Sequence, residues 1–256
     1  AAFAVGHLRG AAWLRRLGAG FERFCLRRFD IVATISHAMA ERLVGKGVAV
    51  ERVRVIRNWV DLEHIRPLPR SRAYRAELDL PEDAFVALYS GNIGLKQGLD
   101  VVVEAARRLD GRDDIVLAIA GEGPAKAKLM AQAAGLRGVR FLPFQPYERL
   151  PEFLALADLH LLPQQEAAGD LVLPSKLGAM LASGRPILAT TLAGAELARF
   201  LDKVALLAPP GDSEALAEAI RRCADGATTH APAAQLCLAG QLAAPKIMSQ
   251  WEGLLF

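Results

Sequence analysis

Residues 169–177 read Gly-Asp-Leu-Val-Leu-Pro-Ser-Lys-Leu and run into an apolar helical pattern. Pro174, Ser175 and Lys176 therefore fall at the start of a helix. The backbone N–H groups there point outward and the helix dipole is positive, so such a start holds anions, and Lys176 adds a full charge. The chemistry this suggests is phosphate binding. The alternative is an ordinary loop–helix junction with Ser175 as its cap. Glu166, Gly169, Asp170 and Leu171 lie in the loop just ahead, where acids are usually solvated.

A second candidate is the stretch Ser90 to Gly98. Small residues such as Gly91 and Gly94 let a backbone approach a ligand closely, the amides of this stretch can face a phosphate, and Lys96 supplies charge. The spacing is not G-x-G-x-x-G, so it does not indicate a nicotinamide site. Gly121-Glu122-Gly123-Pro124 is another such turn, read first as structural. Pro143-Phe144-Gln145-Pro146 offers an apolar ring and exposed backbone suited to a nucleobase, unless Phe144 belongs to the core. Glu196 either accepts hydroxyl hydrogen bonds or is a first-turn glutamate stabilised by its helix dipole. His7, His37, His64, His160 and His230 form no spaced cluster, and His160, within an apolar run, reads as a core residue. No nucleophile elbow, Walker loop or zinc pattern occurs.

These segments need elements to position them. Short apolar runs at 85–89, 115–120, 139–142, 159–162, 186–190 and 204–207 read as strands buried on both faces. Helical patterns fall between them. Leu99, Val102, Val103, Ala106 and Leu109 share one face, ended by Asp110-Gly111. Further helices fit 149–157, 176–183, 193–201 and 213–224, the last with Ser213 as its expected cap. Alternation of this kind predicts a doubly wound, parallel α/β sheet with helices on both faces. Each candidate loop follows a strand, where such sheets bind ligands.

The first 80 residues differ. An Arg-rich helix candidate at 10–29 precedes a strand at 31–34, a helix at 38–46, a strand at 53–56 and a Pro-punctuated linker at 66–70. Two strands do not easily make a domain, so this segment is expected to be the tail of a preceding domain. A short amphipathic helix is expected at 246–254.

Net charge is +3, from 31 basic and 28 acidic side chains, which does not suggest a nucleic-acid binder. No apolar run reaches the roughly 20 residues that span a bilayer. Cys25, Cys223 and Cys237 lack metal-ligand spacing; they read as buried thiols in a reducing cytoplasm. No metal site is expected. In the basic helix, Arg9, Arg15, Arg16, Arg23, Arg27 and Arg28 oppose a side carrying Trp13, Leu14, Leu17, Phe21, Phe24 and Cys25. This suits either a membrane surface contacted through residues 9–28 or packing against a neighbouring core.

In order, six segments resemble the carboxyl-terminal half of the family 4 (group 1) GT-B fold glycosyltransferases. They are Asp30 to Met39, Val55 to Asp61 (similar to a crossover read N-G-V-D), Tyr89 to Asp100 (similar to G-R-L-x-x-x-K-G-x-D), Ile119 to Pro124, the Pro174-Ser175-Lys176 stretch, and Leu207 to Asp212. The variants look most like bacterial exopolysaccharide transferases, including the colanic-acid type. This chain departs from the pattern in that the phosphate Arg falls on Asn92, the Lys on Gln97 with Lys96 beside it, and the paired glutamates near Leu171 and Ala179.

The resemblance implies a GT-B type, Rossmann-like donor domain at 67–240, an amino-terminal acceptor-domain remnant and crossover at 1–66, and a returning helix at 241–256. It implies a retaining transferase that takes a UDP- or GDP-sugar donor, with no tightly bound cofactor, and acts on a polysaccharide or lipid-linked acceptor. Lys96, Lys176 and Asp170 are then the catalytic candidates. Gly91, Asn92, Gly94, Gln97, Gly121, Phe144, Gln145, Leu171, Pro174 and Ser175 would hold the nucleotide and its phosphates, and Glu166, Gly169 and Glu196 the sugar. By this reading the chain alone binds nucleotide but transfers poorly. The competing readings are another enzyme on this fold, such as an epimerase or glycogen-type synthase, and a degenerate half that only binds or scaffolds.

Overall fold

The computed structural model describes residues 12–94, 97–165, 173–228 and 231–255. Helix α1 (Ala12–Leu26) leads to β1 (Val32–Thr34), α2 (His37–Gly45) and β2 (Val53–Val55). The two strands pair in parallel as a sheet of their own, Val32 opposite Val53. Ser36 caps α2, its hydroxyl accepting from Met39 N at 3.2 Å.

A crossover segment then reaches α3 (Arg72–Glu77), a helix that sequence reading did not expect after the 66–70 linker. Ser71 caps it, and Arg75 explains why it exists. The Arg75 guanidinium is fully buried. It donates to Ala84 O (2.8 Å), Leu156 O (2.7 Å) and Asp158 Oδ2 (2.7 Å). Asp158 also accepts from Val86 N at 2.8 Å. One ion pair thus ties α3 to the starts of two strands.

The main sheet is β3 (Phe85–Ser90), β4 (Ile115–Ala120), β5 (Val139–Leu142), β6 (Leu159–Leu162), β7 (Ile187–Thr190) and β8 (Leu206–Ala208). All pairs are parallel, in the order β5-β4-β3-β6-β7-β8. Alternate residues of β3 enter opposite cores, Ala87 and Tyr89 one, Val86 and Leu88 the other. Both faces are therefore apolar, as a covered parallel sheet requires.

On one face lie α4 (Leu99–Arg108), α5 (Lys126–Gln132) and α9 (Ser213–Ala224). The other face packs against α3, α6 (Leu150–Ala155) and α7 (Leu177–Ala182), with α8 (Glu196–Phe200) and α10 (Pro232–Gln241) beyond. Leu99, Val102, Val103, Ala106 and Leu109 are all buried, as their spacing requires. Helices α5 and α10 escaped sequence reading; α10 is Ala-rich and nearly uniform around its circumference, so it shows little periodicity.

Several local expectations need correction. The cap of α9 is Asp212, which accepts from Glu214 N and Ala215 N, and Ser213 is the first helical residue. Residues 204–205 form a turn, and the last strand starts at Leu206. Position 149 belongs to a 3-10 turn at Tyr147–Arg149. Cys237 is exposed and Cys25 and Cys223 are half-buried, so these free thiols are not core groups. Burial does push the Cys223 thiol up. Helix α11 (Ala244–Leu255) begins two residues before the expected pattern. Val60 of the crossover donates to Leu242 O (2.8 Å) and accepts from Ala244 N (2.9 Å), so crossover and chain end run side by side.

Among the described residues no helix is long and apolar enough to cross a membrane. On α1, Trp13, Leu17, Phe21 and Phe24 are all exposed.

Candidate functional site

Strand order reverses between β3 and β6, and the carboxyl ends at such a reversal form a crevice. A cleft of about 630 Å³ opens there, lined by the β3, β4 and β5 exit loops and by α6 and α7. Of the sequence-selected residues it brings together Gly91, Asn92, Gly121, Phe144, Gln145, Ser175 and Lys176. Gly94, Gln97 and Pro174 stand outside its lining. Lys96, Glu166, Gly169, Asp170 and Leu171 lie outside the described residues.

The β3 and β4 loops extend the strand pairing. Gly91 N donates to Ala120 O (3.0 Å) and Ile93 N to Glu122 O (2.8 Å), while Ala125 N donates back to Ile93 O (3.0 Å). The amides of Gly91 and Ile93 therefore face a neighbouring loop, contrary to the expectation that they face an anion. Gly121 has φ +142°, and a Cβ there would sit 1.9 Å from Gly91 O. Its glycine thus allows the two loops to touch.

The β5 loop is held from beneath. Tyr74 Oη donates to Gln145 Oε1, and Gln145 Nε2 donates to Pro143 O at 2.9 Å. The Gln145 side chain is engaged within the protein, which leaves the loop's backbone and ring for a ligand. Phe144 is 76% exposed and is not core. Tyr147 was missed by sequence reading. Its ring stacks on His64 at 4.4 Å, and His64 Nε2 lies 2.8 Å from its carbonyl. Leu150, Phe153, Leu154 and Met180 complete an apolar wall and carried no sequence signal beyond helical periodicity, while Ala179, near which one of the paired glutamates was expected to fall, lines the same wall.

Lys176 supplies the cleft's charge. Helix α7 starts at Leu177, no side chain caps it, and Ser175 is exposed, so the capping alternative does not hold. The Lys176 ammonium is buried without a hydrogen-bond partner among the described residues. It sits 3.6 Å from the centroid of the Tyr89 ring. Desolvation lowers its pKa to about 7. His160 lies in the core as expected, fully buried and 3.1 Å from Ser183 Oγ; burial lowers its pKa to about 3, so it is neutral. Across the cleft, Glu122 pairs with Lys126 at 2.6 Å.

Glu196 faces elsewhere. It is buried, accepts from Ala38 N at 3.2 Å and lies 3.7 Å from Arg57. It does not line the cleft and instead ties α8 to the start of α2. Among the described residues no group of three or more His, Cys, Asp or Glu is placed to hold a metal ion.

The doubly wound parallel sheet, with an apolar cleft and the buried Lys176 ammonium at its switch point, is a Rossmann-like fold. The chain belongs to the glycosyl transferases group 1 family, whose sequence profile matches residues 84–225. A glycosyl transferase 4-like domain profile matches residues 2–59. It is 42% identical over 215 residues to a putative colanic acid biosynthesis glycosyl transferase of Escherichia coli K12, covering 81% of this chain and 52% of that protein. It is 32% identical over 190 residues to a D-inositol 3-phosphate glycosyltransferase of Saccharomonospora viridis, covering 69% and 43%. The chain spans about half the length of the curated relatives it matches. The fold matches Anabaena HepE, crystallised with UDP and glucose, with TM-score 0.80 and 20% identity over 93% of this chain and 66% of that one. The architecture is GT-B.

Proposed function

We propose that the cleft binds the nucleoside diphosphate of a UDP- or GDP-sugar, and that the chain is the donor half of a retaining glycosyltransferase. The observation that carries this is the buried Lys176 ammonium, which lacks a hydrogen-bonding partner among the described residues and lines the same cleft as Gly91 and Asn92. An uncompensated buried cation invites an anion. The base then lies against Phe144 and the backbone near Gln145. The diphosphate meets Lys176. As the bond to the anomeric carbon breaks, negative charge grows on the leaving phosphate, and a preplaced cation lowers that barrier. Lys96 is proposed to join Lys176 there, and Asp170, Glu166 and Gly169 to meet the sugar.

In this reading residues 1–66 and 241–256 belong with an acceptor domain, residues 67–240 form the donor domain, and the chain alone binds without efficient transfer. Robust turnover by this chain would contradict that last point. The acceptor is a polysaccharide or lipid-linked sugar at the cytoplasmic membrane face. The exposed stripe Trp13, Leu17, Phe21 and Phe24 with its neighbouring arginines supports a membrane contact. Co-sedimentation with anionic liposomes should fall when Leu17 and Phe21 become Ser. Calorimetry with UDP, GDP and ADP tests the main reading: one diphosphate should bind saturably, and Lys176→Ala should weaken it about tenfold or more. Absence of binding to all three would mean either that the site needs the rest of the acceptor domain or that this half is a scaffold, a reading the Asn92, Gln97 and Ala179 departures support.

A further inference from the structure

Tyr89 is fully buried at the end of β3, yet it makes two directed contacts beneath the cleft. Its hydroxyl donates to Asn92 O at 2.6 Å. Its ring face lies 3.6 Å from Lys176 Nζ. Gly91 sits between them: a Cβ there would lie 3.5 Å from Lys176 Cδ and 3.7 Å from Tyr89 Oη. One side chain therefore touches both the 91–94 loop, which follows β3, and the cation that precedes α7.

A buried ammonium needs electrostatic support. A carboxylate partner would supply it but would also neutralise the charge and compete with an incoming anion. A ring quadrupole holds the cation and leaves its charge unquenched. Among the described residues the groups around Lys176 fit this arrangement, since Glu122 is paired with Lys126 and His160 is neutral.

We infer that Tyr89 is a positioning residue: its ring fixes Lys176 and its hydroxyl fixes the 91–94 loop, so that cation and loop meet one ligand in a single geometry. This rests on the diphosphate reading above for its purpose, though not for its geometry. The two contacts can be separated. Tyr89→Phe keeps the ring and loses the loop bond. Tyr89→Leu loses both.

The experiment follows lysine Cε signals by NMR across pH in the ligand-free protein, with Lys176→Met identifying the Lys176 signal, and measures UDP-glucose and GDP-mannose binding beside it. For Tyr89→Phe the Lys176 midpoint should stay within about 0.2 pH unit while binding of the preferred donor weakens about three- to tenfold. For Tyr89→Leu the midpoint should fall by about 0.5–1 unit, because the charged form loses its support. Pentafluorophenylalanine at position 89 keeps the ring's shape, reverses its face potential and should lower the midpoint similarly, which excludes a folding artefact. A midpoint that is unmoved or raised with Leu and pentafluorophenylalanine overturns the ring's role. Unchanged binding in Tyr89→Phe overturns the hydroxyl's role. If wild-type protein binds neither donor, the diphosphate reading fails, and the Lys176 midpoints still decide whether the ring holds the cation.

Discussion

Raising the pH through neutrality should loosen this cleft's hold on a diphosphate. Burial holds the Lys176 pKa near 7 in the free protein, against an ordinary value of 10.5. A bound diphosphate pairs with the ammonium and restores a high pKa, so above pH 7 binding must take up a proton. Affinity should then fall about tenfold by pH 8 and about a hundredfold by pH 9, relative to the acid plateau. UDP-glucose is the probe of choice, because its diphosphate stays fully ionised from pH 6.5 to 9. Calorimetry in buffers of different ionisation enthalpy counts the proton directly. Lys176→Met should bind weakly and show no such pH dependence. A flat wild-type profile over this range, with Lys176→Met still impaired, would refute the buried-amine reasoning; undiminished binding by Lys176→Met would refute the contact itself.

The same group makes a stability prediction with a definite sign. In the unfolded chain the amine titrates at its ordinary value, so between pH 7 and 10.5 the unfolded state holds more protons and stability rises with pH. The cost of burying the charge is fully present below pH 7, is on the order of 4 kcal/mol at pH 7, and shrinks by about 2 kcal/mol at pH 9. Urea denaturation should find Lys176→Met more stable than wild type, by a margin that narrows between pH 7 and 9. A margin that stays flat across this range, or that favours wild type, would mean the amine is charged and paired.

Three further outcomes follow from the packing. Gly121→Ala places a methyl 1.9 Å from Gly91 O; it should cost about 2 kcal/mol or more in urea denaturation and also abolish detectable nucleotide binding. Arg75→Met leaves Ala84 O and Leu156 O without that donor and Asp158 without its buried partner, and should destabilise the protein by about 3 kcal/mol; a loss under about 1 kcal/mol would mean that Arg70, 3.0 Å from Asp158, compensates. Glu196→Gln should lower the melting temperature, because a carboxylate is removed from the α2 start and from Arg57, and should leave the Kd for UDP-glucose unchanged. A clear rise in that Kd would return Glu196 to the binding site.

Much of this was legible in the chain itself, for definite reasons. A strand buried on both faces must be continuously apolar, so the main-sheet strands appeared within a residue or two, except at Val204-Ala205, where an apolar turn imitates a strand. Glycines at strand exits marked the loops, since close backbone contact requires them, and Lys176 stood out as a cation beside Pro and Ser. Tertiary structure alone decided which groups converge. Periodicity shows that Leu150, Phe153, Leu154 and Met180 face inward; only the order of the strands makes them a cleft wall. The amides of Gly91 and Ile93 looked free until β4's loop was seen to accept them. Glu196 looked like a ligand group until the α2 start was found against it. Most of all, the chemistry of Lys176 comes from burial over Tyr89, 87 residues earlier in the sequence. A pKa depends on desolvation and on which charges and rings are near in space, and neither is written in residue type or spacing.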